Sequence, residues 1–571
     1  MERRTFIGQA SLLGAGIPLY WLPAGWPVTS TRIDWLRDLV DDNDLQVRQL
    51  LERQVLDPSS PQHGGVPDNH QLYHAGAAAG FIQRLTASFV SPESEYYQNV
   101  ALIHRMSLAI DFLLRIQHED GSIDLITTNF HSTPDTGFVV EPLAISLGLL
   151  QNVKGVGLAD LASALRKFLS RAGDILAVGG IHTPNHRWVV SMALARIHQL
   201  MPDPRYPARI SEWVAEGIDI DADGQYTERS TSVYSPLTDR CLITISRLIN
   251  RPQLLDPVRK NLELTLYLLH PNGEVVTECS RRQDQYLARH PVPYYYPYLF
   301  LALRDRNATF YGLVDQLEVT LGAGELSGVL PYLLESPELL AKMPANALPD
   351  DYRRDCLASG MVHLRRKRWD ATILKENAAL VTFQHGSAVL QAVRVASAFF
   401  GKGQFIAATM EVTASTITLR QSLEAPYYQP IATERIDPDG NWENMPRDER
   451  PRSEVQHLEY RCEVRERMHG IQLTIELDGT KGVPLAIEFG FRKGGVLTGV
   501  QNHPDLADSY LWSHEPAFYR VGREAIQITG GSNDHQWTQL RGALPKLDAE
   551  SLYFTGYTPF RMDMTIEAVD G

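Results

Sequence analysis

Residues able to do chemistry cluster in four short segments. The densest is Gly180-Ile181-His182-Thr183-Pro184-Asn185-His186-Arg187-Trp188, which runs straight into an apolar stretch. An amide, an imidazole and a guanidinium at a loop-to-helix junction suit an anionic ligand, because helix-start N–H groups add positive potential. Asn185 as a plain helix cap with His186 on the surface is the simpler alternative. The second segment, Asp223-Gly224-Gln225-Tyr226-Thr227-Glu228-Arg229-Ser230-Thr231-Ser232-Val233-Tyr234, carries more phenol and charge than a turn needs. For either tyrosine alone, packing of the loop would suffice. The third, Thr277-Glu278-Cys279-Ser280-Arg281-Arg282-Gln283-Asp284-Gln285-Tyr286, offers two adjacent arginines for a carboxylate or sulfate. A fourth is Asn129-Phe130-His131-Ser132-Thr133-Pro134-Asp135.

These segments follow similar glycine turns at Gly121, Gly180, Gly224 and Gly273, spaced by about fifty residues, room for two helices and a loop. Between them apolar residues recur three and four apart, as in Ile103–Ile116, Leu161–Leu169, Val189–Ile197, Leu237–Leu248, Pro257–Leu269 and Tyr298–Arg306. Helix pairs of this kind stack to bury their faces. Closed into a ring they form an (α/α) toroid whose loops converge on one cleft; an open solenoid is the competitor.

Past the polar stretch Met343–Asp351 the period changes to that of strands, in Ala379–Gln384, Ser387–Ala398, Ile471–Leu477 and Met562–Ala568. The expected architecture is multidomain, α then β: an N-terminal (α/α) toroid over residues 29–350 and a C-terminal antiparallel β-sandwich over 351–571. Ile436–Glu454, charged and Pro-rich, reads as a long exposed loop.

The 571 residues suffice for several cores, and a net charge of −14 offers no general basic surface for nucleic acid or anionic lipid. An anionic ligand must therefore meet local arginines. Four cysteines without a CxxC pair suggest neither a disulfide scaffold nor zinc. Residues 1–28 carry Arg3-Arg4-Thr5-Phe6-Ile7 before a short apolar run, resembling a twin-arginine export signal, so a periplasmic protein without a membrane span is expected. Asp219, Asp221 and Asp223 match the first half of a calcium-binding loop, but Ser230 stands at position twelve, where a bidentate Glu belongs. An acidic turn ending a helix accounts for them more simply, and no cofactor is expected.

The chain resembles the heparinase II/III-like polysaccharide lyases, most sharply at Asn185-His186 and at Gly224-Gln225-Tyr226-Thr227-Glu228 continuing to Tyr234. The resemblance implies a uronate lyase cutting an anionic oligo- or polysaccharide by β-elimination to a 4,5-unsaturated uronate, with Asn185, His186 and Tyr234 in the active site. It also implies a histidine from the β domain, for which His385 in Phe383-Gln384-His385-Gly386 is the best-placed match. The family's longer His- and Asp-containing pattern is absent there. Lyases acting on a rhamnose-glucuronate linkage share the layout.

The chemistry suits the residue types. Elimination needs the uronate carboxylate neutralised, a base at C5 and an acid at the glycosidic oxygen. Tyr234 is assigned the acid, and the base as well if nearby cations depress its pKa; His186 is the base or its partner. Asn185 with Arg187, Arg240, Arg281 or Arg282 would hold the carboxylate, and Asn129, His131, Tyr226, Glu228 and Tyr286 would line the cleft. Two rivals stand. A glycoside hydrolase would use two carboxylates among Asp135, Glu228, Glu278 and Asp284. A non-catalytic glycan-binding protein would use stacked aromatics such as Tyr294-Tyr295-Tyr296-Pro297-Tyr298.

Overall fold

The computed structural model describes residues 30–154 and 157–570; residues 1–28, expected to carry an export signal, lie outside them. The chain divides into two compact units, one of residues up to Leu264 together with Pro291–Leu348, the other of Thr265–His290 together with Pro349–Gly571. The excursion Thr265–His290, expected within the toroid, thus packs with the β-rich unit instead.

The first unit is helical. Its α-helices among the described residues are α1 (Ser30–Arg53), α2 (Ala75–Val90), α3 (Val100–Ile116), α4 (Thr133–Leu150), α5 (Leu158–Val178), α6 (His186–Leu200), α7 (Arg205–Ala215), α8 (Tyr234–Leu248), α9 (Leu255–Thr265), α10 (Tyr295–Asp305), α11 (Ala308–Leu326) and α12 (Leu330–Glu335). Outer helices show one apolar stripe: α5 buries Leu161, Leu165, Phe168, Leu169, Ala172 and Leu176. An inner helix is different. Every residue of α6 from His186 to Ile197 is buried, as expected for a helix enclosed by neighbours.

Packing runs α2–α4–α6–α8–α10, and α11 joins α10 to α1, which returns onto α2. This chain of contacts comes back to its start, giving the (α/α) toroid. Alternate helices in the ring run parallel: Gly137 near the start of α4 lies against Val189 near the start of α6, and Gly148 near its end approaches Leu200. The inner helices therefore begin at one end of the ring.

The turn glycines hold this repeat. Gly121 and Gly224 adopt φ of +92° and +108°, and a Cβ on either would sit 2.0 and 2.5 Å from the carbonyl oxygens of Arg171 and Lys260. Only glycine allows both the left-handed backbone and the close approach to the next helix. Gly180, expected to be a third such turn, has no positive φ and no such contact.

The second unit stacks two sheets. The eight-stranded sheet is ordered Val496–Thr498, Ala517–Val521, Glu524–Thr529, Phe560–Asp570, Gly470–Gly479, Arg452–Arg467, Ile417–Tyr428, Thr409–Val412. The nine-stranded sheet is ordered Val500–Asn502, Ser509–Trp512, Glu550–Tyr557, Pro484–Phe491, Ala388–Ser397, Val381–His385, Trp369–Leu374, Met361–Arg366, Asp351–Cys356. Pairing is antiparallel except between Ser509–Trp512 and Glu550–Tyr557. Ile471, Leu473, Ile475 and Leu477 point into the shared core in alternation with polar neighbours. Phe491 of one sheet stacks on Tyr519 of the other, with ring centroids 4.6 Å apart. The four cysteines are buried thiols outside any disulfide.

Candidate active site

At the start of α6, Asn185 is buried but does not cap the helix: its Oδ1 accepts from the Thr183 hydroxyl at 2.8 Å, and its Nδ2 finds no acceptor among the described residues. That unpaired amide donor is itself buried and lies at the helix start, where partial positive charge gathers. His186 is held between two rings, edge-on to His182 at 4.6 Å and to Phe138 of α4 at 6.3 Å. Tyr234 opens α8, half-buried, its backbone N–H donating to the Ser230 hydroxyl at 3.1 Å. Because α6 and α8 are packed neighbours beginning at the same end, His186 and Tyr234 sit at adjacent helix starts, on axes about 10 Å apart.

Deeper along the ring, Arg240 of α8 pairs with Glu141 of α4 at 3.1 Å while 30% of its side chain is exposed. Glu141 also accepts from the Tyr332 hydroxyl at 2.9 Å. At the far end Arg196 of α6 and Arg247 of α8 share the carboxylate of Glu335. Burial alone would raise the Glu335 pKa, but the two guanidiniums hold it down at about 2.

Several expected ligand-facing residues have other work. Arg187 is nearly enclosed, bonded to Asp219 at 2.7 Å, to Glu216 at 3.3 Å and to the Gly217 carbonyl, and lies 4.7 Å over the Trp188 ring. Tyr226 is 2% exposed and donates to Asp239 at 2.8 Å, so its phenol faces the interior rather than a ligand. Glu228 is buried too. In the fourth segment Asn129 donates to Asp135 at 2.9 Å. The exposed His131, in the left-handed region at φ 48°, stacks on His118 at 3.7 Å. Each of these imidazoles faces a carboxylate, His118 that of Asp124 at 2.8 Å and His131 that of Asp120 at 3.3 Å. Hydrogen bonds from Ser122 hold Asp120 at about 2. His118, Phe138, Glu141 and Tyr332 carry no local signal that distinguishes them from helix or loop residues, whereas His182 lies inside the first polar segment without an expected role.

The remaining expected residues belong to the second unit. His385 is buried at a strand end, its Nδ1 against the Ala525 carbonyl at 3.2 Å and its Nε2 3.3 Å from Asp570. Arg281 pairs with Glu376 at 3.0 Å, Arg282 is half-buried, and Tyr286 adopts φ 65° with its phenol pushed by burial up to about 12. Glu278 is committed to His270 at 3.2 Å, and His270 also bonds Asp370 at 2.7 Å. Burial alone would lower the His270 pKa, but Asp370 and Glu278 raise it to about 10.

The tyrosine tract does not form a stacking platform. Tyr294, Tyr295, Tyr296 and Tyr298 are all buried, and the hydroxyls of Tyr294 and Tyr298 donate to the Thr231 and Leu262 carbonyls. Asp219 faces Arg187 and Trp188, and Asp221 accepts the turn N–H groups of Asp223, Gly224 and Gln225. Among the described residues no group of three His, Cys, Asp or Glu side chains is placed to hold a metal, and no helix is long and apolar enough to cross a membrane.

Solved structures share this layout. Heparinase III superposes with a TM-score of 0.56 at 11% identity, covering 96% of this chain and 93% of its own. The chondroitin AC lyase of Streptomyces coelicolor, solved with chondroitin sulphate, gives 0.55 at 12% identity over 96% and 79%. A Paenibacillus xanthan lyase gives 0.53 at 10% identity over 96% and 57%. The fold is that of the polysaccharide lyases. No protein-family model matches the sequence, and neither does any curated protein.

Proposed function

We propose that the protein is a polysaccharide lyase that cleaves a uronic-acid-containing glycan by β-elimination, leaving a 4,5-unsaturated uronate. The observation that carries this reading is the placement of Asn185-His186 and Tyr234 at the starts of two packed inner helices, on a fold like that of heparinase III and chondroitin AC lyase. Neutralisation of the sugar carboxylate falls to the Asn185 amide, with Arg240 as the nearby cation. With the carboxylate gripped, the charge that develops at C5 is stabilised as an enolate-like anion. His186 or Tyr234 takes the C5 proton, and the C4–O bond breaks as Tyr234 gives a proton to the leaving oxygen.

Arg187 and Tyr226, occupied by Asp219 and Asp239, take no part in this scheme. His385, with both ring nitrogens engaged inside its own unit, is assigned no step. Incubation with a panel of uronate polymers, including a rhamnose-glucuronate glycan, while following far-UV absorbance tests the proposal. A rise at the wavelength of the conjugated uronate supports it; new reducing ends without that rise would mean hydrolysis. Export through a twin-arginine signal fits such a role and is tested by fractionating cells expressing the chain with Arg3 and Arg4 replaced by Lys.

A further inference from the structure

The far end of the helical ring carries a cluster that elimination chemistry does not use. Arg196 and Arg247 converge on the Glu335 carboxylate, Arg247 at 2.5 Å and also on the Ser336 hydroxyl at 2.6 Å. Tyr296 stacks on Tyr332 at 4.5 Å, and its hydroxyl lies within electrostatic reach of Arg247, Glu335 and Arg196. Arg196 is 1% exposed and Tyr296 4%. Arg196 Nε and Nη2, Arg247 Nε and the Tyr296 hydroxyl are buried without an acceptor among the described residues.

Leaving such donors unpaired in the interior is costly, most of all on a charged group. Among the buried groups Arg196 and Arg247 stand against Glu335 alone, a charge positive by one unit; Glu338, which also acts on Arg247, is exposed to solvent. A water satisfies hydrogen bonds but not that charge. A divalent oxyanion would overcompensate it.

We propose that this end of the ring binds one small monovalent anion of chloride size between Arg196, Arg247 and the Tyr296 hydroxyl. The anion ties α6, α8, α10 and the short α12 together where α12 packs on the inner helices. Bound only by the folded chain, it stabilises the fold by mass action.

Bromide is the probe. Crystals of the full chain grown in sodium bromide should show an anomalous peak within about 3.5 Å of Arg196 Nη2, the reach of a hydrogen bond. Exchanging sodium methanesulfonate for sodium chloride at constant ionic strength should raise Tm by about 2–4 °C and saturate. Tyr296→Phe, which removes one hydroxyl, should lose at least half of that rise, and Arg196→Met should lose it all. A water at the site with no bromide peak, or an equal chloride response in Tyr296→Phe, would overturn the proposal. Neither readout depends on lyase activity, so the two assignments fail separately.

Discussion

The Tyr226 hydroxyl donates to the Asp239 carboxylate at 2.8 Å, joining the loop before α8 to the buried face of α8 itself. Both groups are shut away from solvent. Burial pushes the Tyr226 phenol and the Asp239 carboxyl up, so neither offers a charge to a ligand. Tyr226→Phe leaves Asp239 short of its donor and should cost about 1–3 kcal/mol of stability. KM should stay within twofold of wild type. Steady-state kinetics beside thermal unfolding check this, and a large KM change with intact stability would put Tyr226 back in the cleft.

Tyr234→Phe should lower kcat by about 10²–10⁴-fold, the usual loss when a positioned acid or base is removed. The circular dichroism spectrum and Tm should hold. Near-normal turnover would remove Tyr234 from the mechanism.

Asn185 separates a capping role from a ligand-binding one. Its side chain makes no cap bond, so Asn185→Ala should cost little beyond the Thr183 contact, about 0.5–1.5 kcal/mol. Turnover should fall about 10²–10³-fold, as when one donor to a developing anion is lost. A variant that lost stability but kept its kcat would return the residue to helix capping.

The buried His270 predicts a pH dependence with a definite sign. Its folded pKa of about 10 lies above the ordinary value of 6.5, so its stabilisation is complete below pH 6.5 and fades as pH rises toward 10. Glu278 is held low chiefly by His270 against the cost of burial; its contribution is present above its ordinary 4.5 and fades on acidification. The pair should therefore stabilise most between about pH 4.5 and 6.5. His270→Gln should flatten the fall in Tm between pH 7 and 9 while lowering Tm at pH 6, and Asp370→Asn should cost about 3–5 kcal/mol. Unfolding scans across that range decide it.

Gly224→Ala should destabilise the chain by about 2–4 kcal/mol, because its φ of +108° and the Lys260 carbonyl 2.5 Å from the new Cβ both oppose a side chain. Gly180→Ala, in an open position with ordinary backbone, should be nearly neutral. Comparable losses from both would contradict the structural difference between the two glycines.

Helix and strand periods are local, so both architectures are legible in the sequence. Ile103–Ile116 lies inside α3, Val189–Ile197 inside α6, and Ile471–Leu477 inside one strand. The predicted helix Pro257–Leu269 overran, since α9 ends at Thr265 where the chain passes into the second unit, and apolar spacing does not register such a departure. The Asn185-His186 and Tyr234 segments were visible as unusual polar densities before apolar helices.

Spacing and residue type alone determined the order of helices and sheets, the glycine turn at Gly224 and the candidate polar segments. Only the tertiary structure decided which polar groups are spent. Arg187 meets Asp219 across 32 residues, Arg196 meets Glu335 across 139, and His270 meets Asp370 across 100. Whether a guanidinium or a phenol waits for a ligand depends on which distant carboxylate folding brings within reach, and local patterning carries no record of that partner.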